Sequence, residues 1–418
     1  MSDWGILFVL LGEVVVLTRI DHRRLGTWIT PFSLLAVPYV GVVALAYCFA
    51  PALGFLPLVV ESVWVWVGGL FLFWIGAGPV TLLFGKVIRD RAAEPLRHEE
   101  EMRKPALVLA WLAILVVGYA LRSSLGSLGW QLLGSDEFGG AYGYGLAGHV
   151  SCFSMGLAVY LIGTGDRTSR LKWATVFVLT VLYLAYPTKA WVIIPILAGL
   201  LYRASSGRGG LSLRRAALTP LLVYVLFVVA YMVALGVNDA RVVLDPEIHG
   251  FLATHFLSYL FAGVLAFGNV MQVGLDRFVA EPTVIVAPLH NLLAVLLNGP
   301  IVGNVTQNFS VISQAGAESN VNTYFGTIVI NLGWALGVVY VVLAGAAFSG
   351  LFALSRITRN CWVTVSWVFT GALLSLGWFD FYFATLQSLE LPVYFLIMGF
   401  LSWLLKQRTQ RVAAPSPS

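Results

Sequence analysis

Four basic residues, Arg122, Lys189, Arg241 and Arg277, stand apart from the other lysines and arginines of this chain. All the others gather at Arg19–Arg24, Lys86–Lys104, Arg167–Lys172, Arg203–Arg215, Arg356–Arg359 and Lys406–Arg411. Short loops rich in Lys and Arg stay on the cytoplasmic side of a membrane, so the clusters mark one side. The isolated cations fall on the other, Arg277 on condition that its loop lies there. For any one of them a local salt bridge, or snorkelling to lipid phosphates, is explanation enough. Several bordering one cavity would instead suit a phosphate or pyrophosphate, which Arg grips through paired donors and Lys as a point charge.

Proton transfer has its own candidates. Asp136, Glu137, Asp239, Asp245, Glu247, Glu318 and Asp380 are carboxylates on the same outer side, and spacing selects none of them as a base. His149, His249, His255 and His290 lie at or near that face, whereas His22 and His98 sit among the basic clusters. A lone interfacial histidine is commonly a satisfied polar tip. The chain lacks His-Glu-x-x-His, an aspartate cluster, a nucleotide-binding glycine loop and a serine nucleophile elbow. ATP-driven work and familiar hydrolytic chemistry are therefore unsupported, and neither a metal nor a cofactor is expected. Cys48, Cys152 and Cys361 lie in apolar segments and read as small hydrophobes.

The richest polar stretch is Glu318–Gly337, E-S-N-V-N-T-Y-F-G-T-I-V-I-N-L-G-W-A-L-G. Polar groups where a helix enters a bilayer are costly unless they face protein, water or ligand. Gly333 and Gly337 are four apart, which predicts a shared helix face and close approach of a neighbouring backbone.

Composition requires a membrane for these residues. Hydrophobic residues make up 59% of the chain and charged ones 11%, with mean hydropathy +0.86. That is an all-α polytopic membrane protein. Crossings are expected at Trp4–Ile20, Trp28–Ala50, Leu56–Phe84, Pro105–Leu121, about Tyr144–Gly163, Trp173–Tyr186, Ala190–Tyr202 and Ala217–Gly236. Three more follow at Tyr324–Phe348, Cys361–Trp378 and Leu389–Leu405. Gly85–Lys104 is expected as a cytoplasmic surface helix, and Pro187-Thr188-Lys189 as a tight outer turn. Between Val237 and Thr323 the apolar runs Phe251–Gly268 and Val284–Leu297 are either two spans or partial helices in an outer loop. The total is 11 or 13 spans in one transmembrane domain covering 1–418, with 237–323 as the outer loop. The N-terminus is then outside and the C-terminus inside, with a disordered tail at 413–418.

Three stretches resemble the bacterial O-antigen polymerases, the oligosaccharide repeat-unit polymerases. Asn320-Val321-Asn322-Thr323-Tyr324-Phe325-Gly326, running on to Asn331-Leu332-Gly333 and Gly337, is similar to N-V-Y-T-x-x-G followed by D-x-G-x-x-G. Tyr259-Leu260-Phe261-Ala262-Gly263 with Phe267 is similar to Y-L-s-G-x-x-x-x-F. Thr188-Lys189-Ala190 stands where relatives carry a small residue, Arg and a small residue. Asn331 thus replaces the usual Asp, and Lys189 the usual Arg. The resemblance implies a GT-C-type glycosyltransferase of the bacterial inner membrane, inverting and metal-independent, working on the periplasmic face in O-antigen or related lipopolysaccharide and surface-polysaccharide synthesis. Its donor and acceptor would be undecaprenyl-pyrophosphate-linked oligosaccharides, its partners membrane lipids and a chain-length regulator, with no nucleic acid. Lys189 and Arg241 would grip the pyrophosphate, with Arg122 and Arg277 as further candidates. Tyr259, Asn320, Asn322 and Tyr324 would bind the sugars, and His255 or Glu318 would take the acceptor's proton.

Two rivals are sharp enough to state. An O-antigen ligase carries His-Asn/Ser/Gln, nine residues, then Gly; counting back from Gly333 puts Asn322 where that His would be. His290-Asn291 begins a similar phrase, but Gly299 and Gly303 fall at the wrong distance. A flippase or other transporter of the lipid-linked glycan would place ionisable groups at mid-membrane, where this chain offers Glu13.

Overall fold

The structure is a computed structural model describing residues 3–133, 135–143, 145–165, 169–186, 190–208, 224–225, 227–229, 231–232, 245–303 and 308–413. Its helices run α1 (Asp3–Leu25), α2 (Pro31–Phe49), α3 (Val60–Asp90), α4 (Arg103–Leu128), α5 (Asp136–Gly143), α6 (Gly145–Gly163), α7 (Arg170–Leu184) and α8 (Ala190–Ser205). Then come α9 (Pro246–Val273), the short α10 (Pro282–Ile285) and α11 (Ala287–Leu297), and strands β1 (Ser310–Val311) and β2 (Glu318–Ser319). The chain closes with α12 (Tyr324–Thr358), α13 (Cys361–Ser375) and α14 (Leu386–Ala413).

Seven helices among the described residues are long and apolar enough to cross a membrane: α2, α3, α4, α6, α9, α12 and α14 through Leu405. Their apolar side chains are not confined to an inward stripe. Leu82 and Leu83 on α3 are 73% and 74% exposed and Tyr119 on α4 is 75% exposed, as lipid-facing positions require. Seven is fewer than the 11 or 13 expected, for identifiable reasons. Glu13, Arg19 and Asp21 make α1 too charged to qualify. The apolar α8, α11 and α13 have 16, 11 and 15 residues, short of the roughly 20 a bilayer needs. The run at 217–236 lies largely outside the described residues, as do 414–418.

Two further expectations are corrected. Residues 85–104 form no separate surface helix: α3 continues to Asp90, and turns then carry the chain to α4. Gly333 does not pack a neighbour closely. It has φ 66° and ψ −176°, a glycine conformation that breaks α12 into two helices, and no atom lies within 4 Å of where its Cβ would be.

The chain divides into two compact units, one comprising Met1–Ala92, His249–Ile357 and Thr370–Leu389, the other Ala93–Ile248, Thr358–Phe369 and Glu390–Ser418. In the first, α2 starts at a reciprocal cap between Thr30 and Ser33 with Pro31 at the first helical position. Its Tyr39 stacks on Trp66 of α3, with ring centroids 3.5 Å apart. Close approach of helices occurs where α3 meets α12. A Cβ on Gly76 would overlap the Val342 carbonyl, and one on Gly345 would overlap the Phe73 carbonyl. These reciprocal glycines serve as the packing notch. In the second unit α6 is largely buried, packing against α4, α7 and α8. Ser169 caps α7, and the Tyr142 hydroxyl donates to the Leu182 carbonyl at 3.0 Å.

Candidate functional site

In the first unit, α9 carries Phe251, His255, Tyr259, Gly263 and Phe267 at successive intervals of four, so each neighbours the next along a path that winds around the helix. His255 stacks on Phe251 with centroids 5.3 Å apart, and Tyr259 meets the His255 ring edge-on at 5.0 Å. Tyr259 in turn stacks on Phe379 at 5.7 Å. Gly263 is required by the next contact, because a Cβ there would run into the Phe379 and Trp378 carbonyls. Phe267 covers Gly326, whose Cβ would lie 2.6 Å from its ring.

The asparagine-rich entrance reaches the same place from α12. The Thr323 N–H donates to the Phe379 carbonyl at 3.1 Å and the Tyr324 N–H to the Gly377 carbonyl at 2.7 Å. Thr323 has φ 61°, a left-handed backbone that a β-branched residue adopts only under constraint. The constraint is visible. Besides the Phe379 bond, its hydroxyl oxygen accepts from Trp66 Nε1 at 3.1 Å and from the Gly326 N–H at 3.2 Å, capping α12. Backbone strain of this kind costs about 1–3 kcal/mol and collects at functional sites.

Two polar atoms beside this knot have no hydrogen-bond partner although they are buried: Asn322 Oδ1 and the Tyr324 hydroxyl. Asn322 is 2% exposed and Tyr324 0%, its ring packed by Phe325, Phe381 and Phe383. Asn322 Nδ2 donates to the Asn320 carbonyl at 3.4 Å. Glu318 stands exposed on β2, paired with Val311. Arg277 is exposed on a short helical turn after α9, whereas Arg122 belongs to α4 in the second unit. Lys189 and Arg241 lie outside the described residues. Of the residues named from sequence, the structure brings together His255 with Tyr259, and Asn320 with Asn322 and Tyr324, around the 377–383 segment.

Asn331 has a structural assignment. It is 1% exposed; its Oδ1 accepts from the Glu281 N–H at 3.0 Å and its Nδ2 donates to the Thr327 carbonyl at 2.8 Å. An aspartate would turn that second contact into two facing acceptors. Asn331→Asp is therefore expected to destabilise the protein by about 1–3 kcal/mol near neutral pH, which a thermal melt in detergent at pH 7.5 would measure.

The site also contains a group that spacing had not selected. Asp380 follows Phe379, and burial pushes its carboxyl from 3.8 up to about 6, against the lowering effect of the Phe381 N–H, which donates to Oδ1 at 2.7 Å. Tyr382 is within electrostatic reach of both Asp380 and Tyr259. The signal was present in the sequence, since Trp378-Phe379-Asp380-Phe381-Tyr382-Phe383 walls one acid with aromatics. Because the folded pKa is raised, the neutral form suits the fold. Stability falls as pH rises through the interval from 3.8 to about 6, and the loss persists above it. Asp380→Asn keeps an acceptor for the Phe381 N–H and removes the charge. It is expected to raise stability at pH 7.5 by about 1–3 kcal/mol, with no gain at pH 3.5.

The first unit thus defines a polytopic α-helical membrane protein with a strained, aromatic-walled polar knot where α9 and α12 meet the 377–383 segment. The chain matches the model of a family of unknown function, DUF6337, over residues 54–408, and it belongs to that family. No curated protein matches it, and no solved structure does.

Proposed function

We propose that this protein is a membrane glycosyltransferase that polymerises undecaprenyl-pyrophosphate-linked oligosaccharide repeat units on the periplasmic face of the bacterial inner membrane, with a GT-C-like architecture. The supporting observation is that two of the three stretches resembling the repeat-unit polymerases pack directly on one another, Phe267 of one over Gly326 of the other. That segments far apart in sequence share a packing site beside a strained Thr323 supports reading them as one site. Asn320 then meets sugar hydroxyls with the buried Asn322 bonded to its carbonyl, Tyr259 offers a ring face to a pyranose, and Tyr324 anchors the helix entrance. Lys189 and Arg241, with Arg122 and Arg277 as further candidates, neutralise the departing pyrophosphate. His255 and Glu318 were named from sequence to take the acceptor's proton, and Asp380 is a further carboxyl of the same unit, raised to about 6 by burial. A polysaccharide chain-length regulator is the protein partner this reading implies.

Photo-crosslinking tests the assignment. A lipid-linked repeat unit with a diazirine on its sugars should label peptides within 255–267 and 318–331, and unlabelled lipid-linked glycan should compete the label away. Competed label confined to other segments would remove the site from this proposal. Ligation to lipid A core is the second reading, disfavoured because Asn322 occupies the position of the ligase histidine.

A further inference from the structure

The second unit carries an acid–base pair that the polymerase-like stretches do not include. His149, in the second turn of α6, places Nδ1 2.5 Å from Oε1 of Glu390, in the second turn of α14, across 241 residues of sequence. Glu390 is held from further sides: the Tyr394 hydroxyl donates to the same Oε1, and the Cys152 thiol also bonds its carboxylate. His149 and Cys152 are three apart on α6, and Glu390 and Tyr394 four apart on α14, so each pair shares a helix face. Below them Phe153 stacks on Phe395 with centroids 5.3 Å apart, and a Cβ on Gly156 would collide with the Phe395 ring. The two helices are therefore locked in register at the pair.

The two partners are unequally exposed. The Glu390 side chain is 10% exposed and that of His149 51%. A carboxylate accepts hydrogen bonds, so Nδ1 is the donor to Glu390, and in the neutral imidazole Nε2 then presents a lone pair. A buried carboxylate orienting a half-exposed imidazole is the arrangement of a positioned general base.

We propose that His149 is a catalytic proton acceptor for a hydroxyl-bearing substrate, with Glu390 as its positioning residue. Resting on the polymerase reading, that hydroxyl belongs to the sugar at the non-reducing end of the lipid-linked acceptor, and His149 takes the place given from sequence to His255 or Glu318. Its oxygen forms the new bond to the anomeric carbon of the donor, and its proton passes to His149 Nε2. The bond from the anomeric carbon to the pyrophosphate oxygen breaks, and that oxygen leaves with the electron pair. Glu390 stabilises the imidazolium so formed.

The test uses full-length protein in nanodiscs with two readouts. In the first, diethyl pyrocarbonate modification of His149 is followed by peptide mass spectrometry in wild type and in Glu390→Gln. At a pH where the imidazole is neutral in both proteins, the proposal expects the variant to react several-fold more slowly, and equal rates overturn it whether or not any glycan is polymerised. In the second, chain extension is measured for His149→Ala, with His149→Gln as the variant to use should alanine fold poorly. Turnover should fall by roughly 100-fold at little changed KM, with partial recovery on adding imidazole to His149→Ala. Full activity of the variant, or a loss accompanied by a lowered melting temperature and no imidazole rescue, assigns the pair to helix packing and overturns the proposal. A wild type that extends no glycan, while its His149 still reacts faster than in Glu390→Gln, rejects the polymerase reading and keeps the proton acceptor.

Discussion

Gly345→Ala and Gly76→Ala should each destabilise the protein by about 3 kcal/mol or more, at the upper end of what overpacking a core produces. The reason is the identity of the neighbour. At most glycines an added methyl meets open space or a side chain. Here it meets the Phe73 carbonyl from Gly345 and the Val342 carbonyl from Gly76, and a backbone yields only if α3 and α12 separate. Separation would also disturb Trp66, three turns along α3, whose indole secures the strained Thr323. Gly350→Ala on the same α12 is the control, because nothing lies within 4 Å of its added Cβ. It should be neutral or slightly stabilising, since alanine is favoured over glycine in a helix by roughly 1 kcal/mol. Thermal unfolding in one detergent, with the monomeric fraction from size exclusion, reads all three.

Lys189→Ala should abolish chain extension, a loss of at least about 100-fold, while leaving export of single repeat units intact. On the proposed mechanism the leaving group is a pyrophosphate, and a cation at its departing oxygen acts on the transition state more than on the bound substrate. Removing it therefore lowers turnover instead of merely weakening binding. Lys189→Arg is the informative companion, since the repeat-unit polymerases that this stretch resembles carry Arg there and its paired donors suit phosphate. It should retain activity. Polymer-length profiles on gels in a strain carrying each variant measure both, and a normal profile with Lys189→Ala would remove the residue from the mechanism.

Helix positions were legible because a bilayer imposes a composition so strong that α2, α3, α4, α6 and α9 announce themselves as apolar runs. The number of spans was less so. Short apolar helices such as α11 satisfy the same composition without the length, and α1 has the length but carries charge. The face of α9 around His255, Tyr259 and Gly263 was readable in principle from their four-residue spacing. What opposed that face was not, since the 377–383 segment approaches from more than a hundred residues away. Gly333 shows the limit of spacing arguments. Four residues before Gly337, it fits a packing motif, yet it is the one place where α12 leaves helical geometry. The left-handed Thr323 was hidden for the opposite reason, because no rule reads a positive φ from a β-branched residue. Its tertiary hydrogen bonds with Trp66 and Phe379 accompany it. His149 and Glu390 were each visible as polar residues in apolar runs, but only the fold pairs them.

The central claim is that this chain extends lipid-linked glycans by itself. The most direct measurement is incubation of the purified protein with undecaprenyl-pyrophosphate-linked repeat unit alone, in EDTA and with no other acceptor, followed by separation of products by length. A ladder of glycans growing by whole repeat units is the expected result. No ladder, with transfer appearing once lipid A core is supplied, would make the protein a ligase; no product in either reaction would contradict the glycosyltransferase reading and favour transport.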